Sequence, residues 1–295
     1  TGGLLLRYNC KTQPLLWTNI APRFTTYVKT EESFFDATVV GRPQFRPFGV
    51  TWSQNEIFVS NNRQLLTFDR NFSFKRREAL SLQVNTHQAI FYDHRIWVVS
   101  PWTNSIIAVR PNSSEISVEF DIMAASLLKY KERTALESDD RHHFNSLLIS
   151  EDDLFVVAHN FMKPSFILQF SIGTLELKRT INNVGASAHG IAKHEGSLFW
   201  LSSMTNEIRG TEKFRLYLTR IGYPRGFIVT DEYFIIGVSP LRNRNLRQTG
   251  DGWIQVIRRD TGVLEQEIYL PGSGAINEIR ALDFHDYAHN IKPVW

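Results

Sequence analysis

One short pattern recurs along this chain and restricts its fold more than any other feature. A polar or ring-bearing residue is followed by a small residue, an apolar run, a break and a second apolar run. The copies read RPFGVTW…NEIFVS from Arg46, HQAIFY…RIWVVS from His87 and HHFNSLLIS…DLFVVA from His142. The pattern returns as AHGIAK…SLFWLS from Ala188 and PRGFIVT…YFIIGVS from Pro224. A last copy, INEIRALDF from Ile276, carries only its first run. The runs are short, rich in Val, Ile, Phe, Trp and Tyr, and bounded by Gly, Asn, Asp, Pro and Ser, which reads as β-strand. Self-similarity at a spacing of roughly 40–50 residues is the mark of four-stranded propeller blades. The expected fold is therefore an all-β, six-bladed β-propeller, a single domain spanning 1–295.

The last copy lacks outer strands, whereas the N-terminal region has spare ones: GLLLRYN from Gly3, PLLWTN from Pro14 and FFDATVV from Phe34. Pairing these with INEIRALDF closes the ring and removes free sheet edges. Arg259-Asp260-Thr261-Gly262 suits a tight hairpin between the last two strands of the fifth copy. Helical spacing is almost absent; Asp121 to Glu137 reads as a short helix or a loop excursion between blades.

Composition supports a large core and narrows the partners. Apolar residues make up 42% of the 295 residues and aromatics 13%, too many for disorder. The net charge of +3 is small and the basic residues are scattered, which is no nucleic-acid footprint. No run reaches membrane-spanning length. The single cysteine, Cys10, forms no intramolecular disulfide and points to the cytoplasm. A chain starting at Thr1 without methionine also leaves a removed secretion signal open.

Several segments together resemble an uncharacterised bacterial six-bladed β-propeller family, a domain of unknown function. LLLRYNCKTQPLLW is similar to its opening hairpin, and FRPFGVTWSQNEIFVSNNRQLLTFD to its first full blade. HHFNSLLISEDDLFVVA, PRGFIVTDEYFIIGVSPLRNR, GWIQVIRRDTGVLEQEIYL and INEIRALD extend the likeness over nearly the whole chain. The chain departs from it after His159, where FMKPSF makes a longer loop. The resemblance implies the propeller and no reaction, and fold alone does not settle function.

In a propeller the innermost strands start at one face of the central channel, and antiparallel second strands return there. The leading residues Phe48, His87, His143, Asn145, His189, Arg225 and Glu278 are thus expected to share a basin with Ser100, His159 and Arg242 from second-strand ends. His87, His143 and His189 suit a divalent transition metal (Zn, Fe or Cu), with His159 as a fourth ligand or orienting group. The alternative for these rings is hydrogen bonding to neighbouring blades. Adjacent strand residues face opposite sides, so only one of His142 and His143 turns to the axis. Arg225 and Arg242 could hold a carboxylate, phosphate or sulfate; otherwise Arg225 pairs with Glu278. Glu278 and His159 are the candidates for moving a proton, and Asn145 with Trp102 and Phe161 could wall the ligand. Oxygen donors from Asn145, Asn277 and Glu278 raise calcium, ranked below a transition metal because histidines stand where lactonase-type propellers carry an axial Asp. His94, His194, His285 and His289 are expected at the surface.

Two functional readings follow. One is a metal-dependent hydrolase, lyase or isomerase acting on a small polar or anionic metabolite at the channel mouth. The other is a non-catalytic scaffold that docks a protein or glycan through the insertions Asp121 to Arg141 and Pro240 to Gly252.

Overall fold

A computed structural model of the chain describes residues 48–60, 64–69, 73–80, 86–113, 116–122, 126–127, 140, 142–161, 163–241, 250–271 and 273–280. They form five successive antiparallel meanders, one for each complete copy of the repeat. Blade one is β1 (Gly49–Trp52), β2 (Glu56–Ser60), β3 (Gln64–Asp69) and β4 (Phe74–Ala79). Blade two is β5 (Ala89–Tyr92), β6 (Arg95–Ser100), β7 (Ser105–Val109), β8 (Ile116–Asp121) and the two-residue β9 (Ser126–Leu127). Blade three is β10 (Phe144–Ser150), β11 (Asp153–Ala158), β12 (Phe166–Ser171) and β13 (Leu177–Ile181). Blade four is β14 (Ala188–His194), β15 (Ser197–Ser202), β16 (Glu207–Gly210) and β17 (Arg215–Tyr217). Blade five is β18 (Tyr223–Val229), β19 (Tyr233–Ser239), β20 (Gly252–Arg258) and β21 (Leu264–Leu270). The first strands pack in sequence, β1 on β5, β5 on β10, β10 on β14 and β14 on β18, the radial order of a β-propeller.

The continuous apolar second strands now have a physical reason. Side chains alternate between sheet faces, and here each face meets a different blade. In β6, Ile96 and Val98 join the layer against blade one, whereas Trp97 and Val99 join the layer against blade three. In β11, Leu154 and Val156 face blade two and Phe155 and Val157 face blade four. In β15, Leu198 and Trp200 face blade three and Phe199 and Leu201 face blade five. Both faces are therefore dry, and each buried Leu, Ile or Phe contributes about 1.5–3 kcal/mol. Outermost strands lose this constraint. β4 (FKRREA) alternates half-buried and exposed, and four of the five residues of β13 (LKRTI) are exposed, placing Lys and Arg on the free edge.

The expected blade count is corrected. Five blades, not six, occur among the described residues. The sixth copy is described only as far as Arg280, and residues 276–280 form no strand because no partner strand among the described residues pairs with them. They are nevertheless seated on blade five. A Cβ on Gly226 would lie 2.8 Å from Ile279, and one on Gly237 2.4 Å from Ile276, so both glycines make room for this segment. The N-terminal strands proposed to complete that blade, and Cys10, lie outside the described residues, so the reading of 1–295 as one domain is described only from Phe48 onward. Most of the Asp121–Glu137 segment also lies outside them; its described part, Ser126–Leu127, pairs with β8 as a strand. The hairpin at Arg259–Gly262 is present, with Gly262 at φ 69° and its N–H donating to the Arg258 carbonyl at 2.8 Å. Among the described residues no helix is long and apolar enough to cross a membrane.

Candidate functional site

A hollow of about 310 Å³, measured with its open mouth, lies where the first strands begin. Six of its lining residues, Phe48, His87, Asn145, His189, Arg225 and Glu278, are the leading residues of six different repeat copies. Gln88, Ser146, Gly190 and Asn277 complete the lining. Residues separated by most of the chain thus meet because each copy delivers its first strand to the same place.

Blades three, four and five deliver them by a shared device. Each first strand has a break in register at its start: between Phe144 and Ser146, between His189 and Ile191, and between Pro224 and Phe227. A β-bulge adds an unpaired residue and re-aims its neighbours, so Asn145 with Ser146, and His189 with Gly190, reach the hollow as consecutive pairs. His143 (φ 50°) and Ser187 (φ 53°), left-handed at non-glycine positions, lead directly into β10 and β14. Such strain persists only where surrounding contacts hold it, and it gathers at functional sites.

Polar side chains stitch the blades around this hollow. Gln88 is the widest span: its Nε2 donates to Glu278 Oε1 at 3.0 Å while its Oε1 accepts the Leu147 N–H at 2.7 Å. Asn145 Nδ2 donates to the Ala188 carbonyl at 2.9 Å, and Ser146 Oγ accepts the Gly190 N–H at 2.9 Å. The bonds to Leu147, Ala188 and Gly190 each join one blade to the next, and the bond to Glu278 joins blade two to the sixth copy.

The histidines form a row of rings rather than a cage. Phe48 contacts His87 at 4.7 Å between centroids, His87 contacts His143 at 5.0 Å, His143 contacts His159 at 5.4 Å and His159 contacts His189 at 5.0 Å. The row ends on Tyr223, 5.4 Å from His189, over which the Arg225 guanidinium stacks at 5.0 Å. His143 Nδ1–H donates to the Asp140 carboxylate at 2.9 Å. His159 Nδ1 accepts the Phe161 N–H at 3.0 Å, which leaves the proton on Nε2 to donate to the Tyr223 hydroxyl at 2.9 Å. His142 turns the other way, against Phe144 and Phe166, as the alternation requires.

His189 has the most specific environment. It is 6% exposed. Its Nδ1 lies 2.9 Å from the Ser187 carbonyl oxygen, which can only accept, and 2.9 Å from Ser203 Oγ. Ser203 in turn donates its proton to the Pro224 carbonyl. Nδ1 therefore carries the hydrogen, and Nε2 carries a lone pair with no partner among the described residues. Burial, followed by the Arg225 charge and by repulsion from any proton gained by His159 or His143, holds this imidazole well below its ordinary pKa, so it is neutral at pH 7.

The charged pair differs from the expected one. Glu278 forms its ion pair with Arg280 at 3.0 Å, both side chains being nearly buried, whereas Arg225 Nη1 donates to Asn277 Oδ1 at 3.1 Å. Arg242 lies outside the described residues. Trp102 sits on the turn between β6 and β7, 43% exposed and away from the lining of the hollow. Phe161, 44% exposed, packs on His143 and His159. Ser100, His143 and His159 likewise stand outside the lining, the two histidines as neighbours of the rings that form it. His194 is not at the surface: it closes β14 at 3% exposure, beside Glu195 and Asp231. His94 is exposed, and His285 and His289 lie outside the described residues.

Among the described residues no group of three His, Cys, Asp or Glu is placed to hold an ion. His159 stands between His143 and His189, and Nδ1 of each of those two rings donates to a protein acceptor, an arrangement that free and metal-bound imidazoles share. The oxygens that would serve calcium are also engaged, Asn277 by Arg225, Asn145 by Ser146 and Glu278 by Gln88.

Gln88, Ser146 and Gly190 escape a reading based on one leading residue per copy. Their signal is a polar or glycine residue next to the leading one, and strict alternation hides it; a bulge turns the neighbours to one side in blades three and four, whereas His87 and Gln88 lie before the strand.

No family model matches the chain, and no curated protein is significantly similar to it. Solved structures share its fold at low identity. A chain of the nidogen/laminin complex superposes with TM-score 0.57 at 7% identity, covering 79% of this chain and 83% of that one. Luciferin-regenerating enzyme gives TM-score 0.56 at 10% identity, covering 77% of each chain. A protein of unknown function from Bacteroides caccae gives 0.55 at 12% identity, covering 79% of this chain and 85% of its own. At these identities the likeness is one of fold: the chain is an all-β propeller with its polar residues gathered at one central hollow.

Proposed function

We propose that this chain is a small-molecule-binding propeller whose central hollow takes a polar or anionic ligand. One observation carries the reading: the leading residues of six repeat copies, five residue types with histidine used twice, line a single hollow. A purely structural repeat would have no reason to vary there while keeping its apolar runs interchangeable. Arg225 supplies the charge for an anion, and His189 supplies a neutral base. Glu278, held by Arg280, serves as a fixed carboxylate. An enzymatic step would use these groups for proton transfer.

Calorimetric titration of the full chain with succinate, phosphate and sulfate tests the reading. Wild type should bind at least one of them, and Arg225→Gln should weaken binding roughly tenfold or more, as for loss of a charged hydrogen bond. Absence of binding to all three would defeat it. Stoichiometric metal in purified protein, lost in His143→Ala, would favour the metal-dependent version. A protein partner captured through the 121–141 insertion, with no small-molecule binding, would favour the scaffold.

A further inference from the structure

We propose, resting on the reading of the hollow as a small-anion site, that its ligand is a hydroxy-carboxylate whose hydroxyl donates to Nε2 of His189. Two acceptors, the Ser187 carbonyl and Ser203 Oγ, fix the proton on Nδ1. Ser203 cannot reverse this, because its own hydrogen is directed at the Pro224 carbonyl. Nε2 is then an obligate acceptor on the lining of the hollow, in a ring 6% exposed and without a partner for that atom among the described residues. Nε2 is not among the fully buried polar atoms, so it opens onto the hollow, where a ligand that brings a donor takes the place of water. Burial and the cationic neighbourhood keep the ring from supplying that proton itself.

The cation is close by. Arg225 and His189 both pack on Tyr223, the guanidinium 5.0 Å and the imidazole 5.4 Å from its ring centre. A Cβ on Gly190, the residue after His189, would lie 3.0 Å from the Arg225 carbonyl. The hollow thus presents a cation and a neutral acceptor on neighbouring strands. A carboxylate with a hydroxyl on an adjacent carbon offers the matching anion and donor. A plain carboxylate lacks the donor, and a plain alcohol lacks the charge.

Titration of the full chain with matched pairs tests this: malate against succinate, and lactate against propionate. The hydroxylated member should bind roughly fivefold tighter or more, the worth of one neutral hydrogen bond. His189→Phe should bring each pair within about twofold. Nitrogen-15 spectra of the wild-type histidines provide a second readout that does not depend on the folding of that variant. In free protein the His189 proton should be on Nδ1, and malate, unlike succinate, should shift the Nε2 resonance upfield. Equal binding within each pair, or a proton found on Nε2, would overturn the inference while leaving the anion site intact. Failure of every carboxylate to bind while phosphate or sulfate binds would overturn this inference alone; failure of all of these anions would overturn both.

Discussion

Blades one and two reach the hollow differently from blades three, four and five. β1 and β5 are four residues long and pair regularly with their neighbours, so Phe48, His87 and Gln88 come from the chain just before the strand. β10, β14 and β18 are seven residues long, and each starts with a register break that brings in Asn145, His189 and Arg225. In the first pair of blades Phe48, His87 and Gln88 still make single backbone bonds to Ser60 and Val99 beyond the short strand, and side chains join one blade to another. In the other three the ladder continues, distorted, and the distortion aims the side chains. Backbone geometry should therefore matter most on the long-strand side, and hydrogen-bond chemistry on the short-strand side.

The strongest way to break the contrast is Gly190→Val. The site has φ 57°, and a Cβ there would sit 2.8 Å from Phe227 Cβ and 3.0 Å from the Arg225 carbonyl. Left-handed strain and overpacking together should cost roughly 3 kcal/mol or more in chemical denaturation. On the short-strand side, Gln88→Leu disturbs no backbone angle but strands the Leu147 N–H and takes one donor from Glu278 Oε1, which keeps Arg280. Denaturation should show a smaller loss, about 1–3 kcal/mol. A loss from Gln88→Leu as large as that from Gly190→Val would erase the distinction.

The smallest effect depends on pH. The folded state holds His189 below the ordinary 6.5. As pH falls through that value, the unfolded chain gains a proton that the folded chain refuses. Stability then drops by at most about 1.4 kcal/mol per pH unit from this site, until the folded-state pKa is reached. Above about pH 6.5 the site contributes no slope. His189→Gln should flatten the acid limb of stability against pH. An unchanged limb would mean that His189 is protonated in the folded state.

Much of the fold was legible in the residues. Apolar runs without polar alternation, such as RIWVVS and SLFWLS, marked strands buried on both faces, and FKRREA marked an edge. The leading residues His87, Asn145, His189, Arg225 and Glu278 were readable as one set because the repeat aligned them. Their partners were not. Glu278 meets Arg280, two residues away, rather than Arg225, and the histidines line up instead of converging.

By itself, the sequence determined the repeating strand unit, the gradient from buried inner strands to charged edges, and which residue of each copy is exempt from the apolar pattern. Those follow from local periodicity, which a one-dimensional string contains. The tertiary structure alone decided which neighbours of the leading residues also face the hollow, which nitrogen of His189 carries the proton, and which groups are already partnered. These depend on bulges and on contacts between blades far apart in sequence, and a bulge reverses the alternation on which any linear reading relies.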